Sequence, residues 1–380
     1  MSDFTWNPFG PSVQQTELNI ELLKSEVAKY FPFYDLRFNI KTAAFFIRFD
    51  KEELEEKFDS LRKSLSEKGY IPMLRYDKGE HIIYIMKKPK RKQRSVLVNY
   101  ALLLATIITT VLTGSILYTS HFDIWNMPNK MDIFLAENLF FGAILFALPL
   151  MSILIIHEMG HYYVSKKHGI STSLPFFLPI PPIIPDFNIG TFGALISSRD
   201  PMPNKKALFD VGIAGPLAGF IVAIPVIAIG IGTAEIIPIT TPQAGSVFFG
   251  QSILTDDILS RLVFQIPAGY TFKMNPIAFA GWVGLLITSI NLLPAGQLDG
   301  GHIFRAVLGE KQKYAGWIAI FIMIFTGWFF FAFIIIFIMG LMHPPPLNDD
   351  TEIDTKRKLL FSVAVIMLII CFIPYPIWIP

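Results

Sequence analysis

The chain has 380 residues, of which 52% are hydrophobic and 16% charged, with a formal net charge of +2 and a single cysteine. So much apolar side chain exceeds what a soluble fold uses, and the low net charge, with no basic stripe interleaved with aromatics, excludes a nucleic-acid partner. Cys371 alone makes neither a disulfide framework nor a cysteine metal cluster.

The charges are unevenly placed, with 32 of the 62 Asp, Glu, Lys and Arg residues preceding Ser95. Residues 1–94 therefore predict a small soluble α+β domain. Its first helix runs from Thr16 to Tyr30, with Leu18, Leu22, Leu23 and Val27 at helical spacing. A second runs from Lys51 to Lys68, carrying Leu54, Phe58, Leu61 and Leu65 on one face. Strands are predicted at Ala43–Phe49, Ile71–Tyr76 and His81–Met86, the last two joined by a turn at Asp77, Lys78 and Gly79. The order after the first helix is strand, helix, strand, strand, a pattern that names no chemistry. No basic region followed by an apolar one opens the chain, so a cytoplasmic amino terminus is expected.

Residues 95–380 predict a polytopic α-helical membrane domain of about six transmembrane helices. The basic run Lys87 to Arg94 precedes an uncharged stretch, Val96–Tyr118, long enough to span hydrocarbon, and the positive-inside rule places that run in the cytoplasm. The next span starts near Leu139 and ends about Tyr163, followed by Lys166 and Lys167. Further spans are expected at Ala207–Thr233, entered from Lys205 and Lys206, and at Pro276–Leu298, leaving near Arg305, Lys311 and Lys313. Tyr314–Leu341 and Leu359–Ile373 complete the count. They place Lys356, Arg357 and Lys358 on the far side, against the charge rule.

Within the second span stands H-E-M-G-H, His157 to His161. Positions four apart share a helix face, so two imidazoles can hold one zinc ion while Glu158 sits beside it as general base. Ionisable groups in a membrane helix are costly and need a compensating partner. The alternative is a polar helix–helix contact, or a cluster that merely ends the span. A catalytic zinc takes three protein ligands, and Asp299, in N-L-L-P-A-G-Q-L-D-G-G-H (Asn291 to His302), is the expected third. His302 competes, but it stands three residues further on, nearer the water, and is expected either to support the ligands from behind or to lie at the surface. His81, His121, His168 and His343 are expected in solvated turns or loops.

These residues resemble the site-2 protease family of intramembrane metalloproteases, in which HExxH on one membrane helix meets NxxPxxxLDG on another. The matching positions are His157, Glu158 and His161, then Asn291, Pro294, Leu298, Asp299 and Gly300. GTFGALISSRDP (Gly190 to Pro201) and ALFDVGIAGPLAGF (Ala207 to Phe220) are also similar to the family. With its added domain and the ending HPPPLNDDTEID, the chain most resembles the branch shared by archaea, cyanobacteria and chloroplasts. Gly219 stands where some branches carry Asn. The resemblance implies zinc on His157, His161 and Asp299, Glu158 as base, and hydrolysis of a peptide bond in or near a transmembrane segment of a substrate protein. It also implies a multi-pass protein of the lipid bilayer, here expected in the cell membrane.

Asn291 offers a side-chain amide to the developing oxyanion, or a helix-packing hydrogen bond. The stretch Leu174 to Ser198 has five prolines and then an alternating run, which predicts either a sheet edge that holds substrate extended or a structural reentrant hairpin. Gly212, Gly215 and Gly219 predict close helix packing. Residues 234–275 are too few for a PDZ module. A metal transporter would use similar ligands but would not need Glu158, and an inactive scaffold or chaperone would keep the site for stability. Oligomeric state and natural substrate are not encoded in any motif.

Overall fold

A computed structural model describes residues 18–49, 52–89, 95–120, 131–182, 189–198, 200–239 and 248–378. His121, the end of the basic run (residues 90–94) and residues 183–188 of the proline-rich stretch lie outside them. The chain divides into two compact units, residues 1–93 with 346–351, and residues 94–345 with 352–380.

The first unit runs α1 (Ile20–Ala28), β1 (Phe33–Phe38), β2 (Thr42–Ile47), α2 (Leu54–Glu67), β3 (Tyr70–Asp77) and β4 (Glu80–Lys87). The strands form one antiparallel sheet in the order β1-β2-β4-β3. The helical repeat of α2 puts Leu54, Phe58, Leu61 and Leu65 on one buried face, which packs with Leu23 and Val27 of α1 and with Phe45, Ile83 and Ile85 of the sheet. Strand β1 is absent from the sequence-based order. Its Asp35 and Arg37 interrupt the apolar run, as suits a sheet edge with no fully buried residue.

Residues 346–351, distant in sequence, complete this unit. Leu347 is 5% exposed within its core, and its carbonyl accepts from the Leu74 N–H at 2.8 Å. Asn348 makes a parallel bridge to Leu74, Arg75 donates to the carbonyls of Pro346 and Leu347, and Asp350 pairs with His81 at 2.8 Å. His81 is therefore partnered, where a solvated turn was expected.

The second unit opens with α3 (Val96–Thr119). The next helical run is α4 (Ala136–Gly142), a π-helical stretch at Ala143–Ala147, and α5 (Leu148–Lys167). Pro149 lacks an N–H and its ring crowds the carbonyl four residues back, which accounts for the wider turn just before it. Gly114 of α3 and Gly142 of α4 meet backbone to backbone. A Cβ on Gly114 would lie 2.3 Å from the Gly142 carbonyl oxygen. A hairpin of β5 (Phe176–Pro179) and β6 (Thr191–Leu195) follows, tied to α3 by Asn99, which donates to the carbonyls of Leu174 and Pro175, and by Thr109, which donates to Gly190.

Next come α6 (Lys205–Gly232), β7 (Ile236–Pro238), β8 (Phe248–Phe249), a π-helical segment at Leu254–Val263, β9 (Tyr270–Phe272) and α7 (Pro276–Asn291). Strand β7 pairs with β9. The remaining elements are α8 (Asp299–Leu308), α9 (Gln312–Phe325), α10 (Phe329–Ile334) with a π extension to Met339, α11 (Thr355–Cys371) and β10 (Ile377–Trp378), which pairs with β8. The core of this unit gathers Phe146, Leu150, Leu154, Ile227, Phe279 and Trp282 from α5, α6, α7 and the π stretch.

Among the described residues, three helical runs are long and apolar enough to cross a membrane: Val96–Thr119, Ala136–Lys167 and Lys205–Gly232, with mean hydropathies of 2.0, 2.7 and 2.2. The other apolar helices are shorter. Tyr314–Leu341, expected as one span, folds into two legs. Gly327, at φ 76°, turns the chain, and Gln312 at the start of α9 donates to the Leu341 carbonyl beyond the second leg. The second leg thus ends where the first began.

Candidate metal centre

Helix α5 supplies His157, Glu158 and His161. The i, i+4 spacing sets the two imidazoles edge to face on one side of the helix, with their ring centroids 4.9 Å apart. Helix α7 ends at Asn291, and the chain turns through Pro294 and Gly296, the latter at φ 57°, before α8 starts at Asp299. The paired glycines after Asp299 make that turn possible. A Cβ on Gly300 would lie 2.1 Å from the Leu292 carbonyl oxygen, and one on Gly301 would lie 2.4 Å from that of Gly296. Only residues without side chains let the first turn of α8 fold back on the end of α7 and aim Asp299 at α5.

The three side chains converge. Nε2 of His157 and Nε2 of His161 are 3.2 Å apart, and Oδ2 of Asp299 lies 3.4 Å from the first and 3.2 Å from the second. Donor atoms at about 2.0–2.2 Å from a tetrahedral zinc ion would be about 3.3–3.6 Å apart, so the triangle has the dimensions of three zinc ligands. His161 adds a chemical test. Its Nδ1 lies 2.8 Å from the Val211 carbonyl oxygen, which can only accept, so Nδ1 carries a proton and the neutral imidazole presents its lone pair at Nε2. That lone pair faces a carboxylate oxygen, an arrangement that a cation completes. Among the described residues, no Arg or Lys bonds Asp299.

Glu158 is buried on the same turn of α5. Asn291 Nδ2 lies 3.3 Å from His157 Nε2, so its amide looks into the cluster.

Helix α6 forms the wall behind α5 and α8. A Cβ on Gly215 would lie 2.0 Å from His161 Nε2, one on Gly219 would lie 3.1 Å from His157 Nδ1, and one on Gly212 would lie 2.8 Å from His302 Cβ. The glycines expected to serve helix packing thus pack against the cluster itself. An Asn at position 219 would press on His157. Pro216 removes the N–H that would otherwise bond the Gly212 carbonyl and loosens the turn where His161 reaches Val211.

A family model described as Peptidase family M50 matches residues 145–334, half of the chain. The chain belongs to Peptidase family M50. The match takes in α5, α6, α7 and α8, and it agrees with the site-2 protease resemblance carried by the two motifs. Among similar proteins, "Probable zinc metalloprotease EGY2, chloroplastic" of Arabidopsis thaliana is 30% identical over 243 residues, 62% of this chain and 42% of that protein. "Probable zinc metalloprotease EGY1, chloroplastic" is 28% identical in Arabidopsis thaliana and 26% in Oryza sativa subsp. japonica. These matches cover 60% and 61% of this chain, and 43% and 41% of those proteins. The chain spans about two-fifths of the length of the curated relatives it matches. No solved structure matches it.

His302 stands one turn beyond Asp299 and is not in the triangle. Its Nδ1 is buried without a hydrogen-bond partner, and its ring packs on His343 at 4.2 Å. His343 is not the solvated side chain expected, since it is 9% exposed. His168 differs in the same way. Its Nε2 lies 2.9 Å from Asp210 Oδ2, and Arg357 joins the pair. The sequence carried no signal for the Val211 carbonyl, a backbone atom. The His168–Asp210–Arg357 contacts were missed because each charge, taken singly, marks only a helix end.

Proposed function

We propose that this chain is a zinc metalloprotease that hydrolyses a peptide bond within or near a transmembrane segment of a membrane-spanning protein. The observation that carries the reading is the zinc-sized triangle of His157, His161 and Asp299 donor atoms beside Glu158 in a unit of membrane-spanning composition. When bound, zinc supplies Lewis-acid polarisation of a carbonyl and makes a water more acidic.

This chain's residues do the rest. The Val211 carbonyl holds His161 in the tautomer that ligates, and the glycines of α6 hold both rings against α5. Glu158 takes the proton of the attacking water on a carboxylate oxygen and returns it to the departing amide nitrogen. Asn291 donates its Nδ2–H to the scissile oxygen as negative charge builds there. The β5–β6 hairpin, with Phe192 and Leu195 well exposed, offers an edge on which a substrate strand is held extended.

In the membrane, α3, the α4–α5 run, α6, α7, the α9–α10 hairpin and α11 make six membrane-entering segments. Because the hairpin leaves where it enters, Lys356, Arg357 and Lys358 join Lys166, Lys167, Lys205 and Lys206 on the cytoplasmic side, in accord with the charge rule. Residues 1–94 form a cytosolic docking or regulatory domain, and the cell membrane is the proposed location. The test is Glu158→Gln in purified full-length protein with a co-reconstituted single-span substrate. Cleavage falls about 10²–10⁴-fold while bound zinc is kept. Cleavage that survives the change refutes the mechanism, and metal flux that depends on the site would make this a transporter.

A further inference from the structure

Besides the metal triangle, the second unit holds another cluster of ionisable side chains, contributed by α5, by α6 and by α11. Asp210, in the second turn of α6, receives Arg357 Nε on Oδ1 at 2.7 Å and Arg357 Nη2 on Oδ2 at 2.5 Å. His168, the C-cap of α5, contacts Oδ2 through Nε2 at 2.9 Å. Arg357 is itself fixed on α11, where Asp354 caps the helix by accepting from the Arg357 N–H at 2.9 Å and pairs with the guanidinium. All three clasp side chains are only 21–23% exposed.

What this cluster does follows from the seam it closes. Helices α5 and α6 meet through small residues. A Cβ on Gly160 would lie 2.6 Å from the Ala214 carbonyl oxygen, and Gly215 and Gly219 face the two ligand histidines. Such a seam brings backbones together but presents few large side chains to lock one helix along the other. Yet the site needs one register. A slip of a single residue moves α5 by about 1.5 Å, enough to take His161 Nδ1 out of bonding range of the Val211 carbonyl and its Nε2 out of the triangle. Asp210 is the neighbour of Val211, and His168 stands two turns, about 10 Å, beyond His161 on α5. The pairs His161–Val211 and His168–Asp210 therefore hold α5 to the same turn of α6 at two separate points.

We propose that Asp210, gripped by Arg357 and His168, is a positioning residue that fixes the α5–α6 register on which zinc ligation by His161 depends. This rests on the zinc reading above and goes beyond it in giving the site a clasp outside its ligand set.

The test measures zinc retention by purified full-length protein against a competing chelator, well below any unfolding midpoint. Asp210→Asn keeps the shape and removes the charge, and is expected to weaken zinc retention about tenfold, the scale seen for partners that orient ligands. Phe272→Ala, a core truncation on β9 away from the ligands, is the stability control and is expected to retain zinc like the wild type even with a lowered midpoint. Asp210→Asn retaining zinc like the wild type, or Phe272→Ala losing it equally, overturns the proposal. Should Asp210→Asn not fold, His168 decides. His168→Gln can still donate to Asp210 and is expected to retain zinc, His168→Ala is expected to lose it several-fold faster, and equal behaviour of the two overturns the clasp. A wild type that holds zinc but cleaves nothing refutes the protease reading alone, whereas a wild type that holds no zinc refutes both.

Discussion

Asp299 and Asp210 are two mostly buried carboxylates with histidine nitrogens at 2.9–3.4 Å, and their charges are met in opposite ways. Asp210 is saturated by the protein, a guanidinium fork on both oxygens and an imidazole on one. Asp299 faces two imidazole nitrogens, one of which presents a lone pair in the neutral tautomer that the Val211 carbonyl selects. Charge balance, more than residue type, separates an ion pair from a metal site. The first arrangement is complete as it stands, and the second has a donor set that a divalent cation would complete.

The largest effect expected from this difference is at Asp299. Asp299→Ala leaves two nitrogens and no anion, and purified protein should lose its zinc as read by metal analysis. Cleavage should fall at least as far as for loss of the general base, about 10²–10⁴-fold. Zinc content unchanged by that substitution would move the third ligand to His302, one turn along α8. Asn291→Ala comes next. The amide looks into the triangle but is not one of its three donors, so zinc should stay while kcat falls about 10²–10³-fold, the usual loss for one oxyanion donor. If instead the protein is destabilised with kcat unchanged, the amide serves helix packing. Gly215→Ala is smaller again. A methyl 2.0 Å from His161 Nε2 must push the ring aside, and metal affinity should drop about 10–100-fold. Wild-type affinity in that variant would mean that the α5–α6 seam yields easily, which also weakens the case for a clasp.

These contrasts also explain what the sequence could convey. Polar residues stand out in an apolar run, so H-E-M-G-H and the Asn291–Asp299 segment were legible as one site, because burial in a membrane leaves such groups few other uses. The opposite holds for the turn at Gly327. Thr326, Gly327 and Trp328 interrupt neither charge pattern nor hydropathy, so one apolar stretch of 28 residues looks the same straight or folded back. That single ambiguity also put Arg357 at the far end of its helix from Asp210, which its guanidinium contacts, so the pairing was hidden. In the first unit the periodicity of α2 and the alternation of β3 and β4 were plain, while β1 was lost to Asp35 and Arg37. Leu347, more than 250 residues from its neighbours in that core, had no local signal at all.

Glu26 extends the comparison to a third carboxylate, and it resembles Asp210. It is 5% exposed, and it accepts from Lys29 at 2.7 Å, from Ser64 at 2.7 Å and from Lys68 at 2.5 Å. These bonds, that from Lys29 foremost, hold its carboxyl down at about 2, against an ordinary value of 4.5. A depressed carboxyl contributes stability that is fully present above the unfolded value and lost as the folded group protonates. The first unit should therefore keep this contribution at neutral pH and lose it as pH falls from about 4.5 to about 2. With both lysines at least one-third exposed, solvent screening limits it to on the order of 1 kcal/mol. Hydrogen exchange of residues 20–87 in full-length protein gives the measurement. Glu26→Gln should exchange about fivefold faster than wild type at pH 7, after correction for intrinsic rates, and the gap should close towards pH 2. A gap that is constant with pH would mean that Glu26 is held by shape and not by charge, and that the rule drawn from Asp210 does not extend beyond the membrane unit.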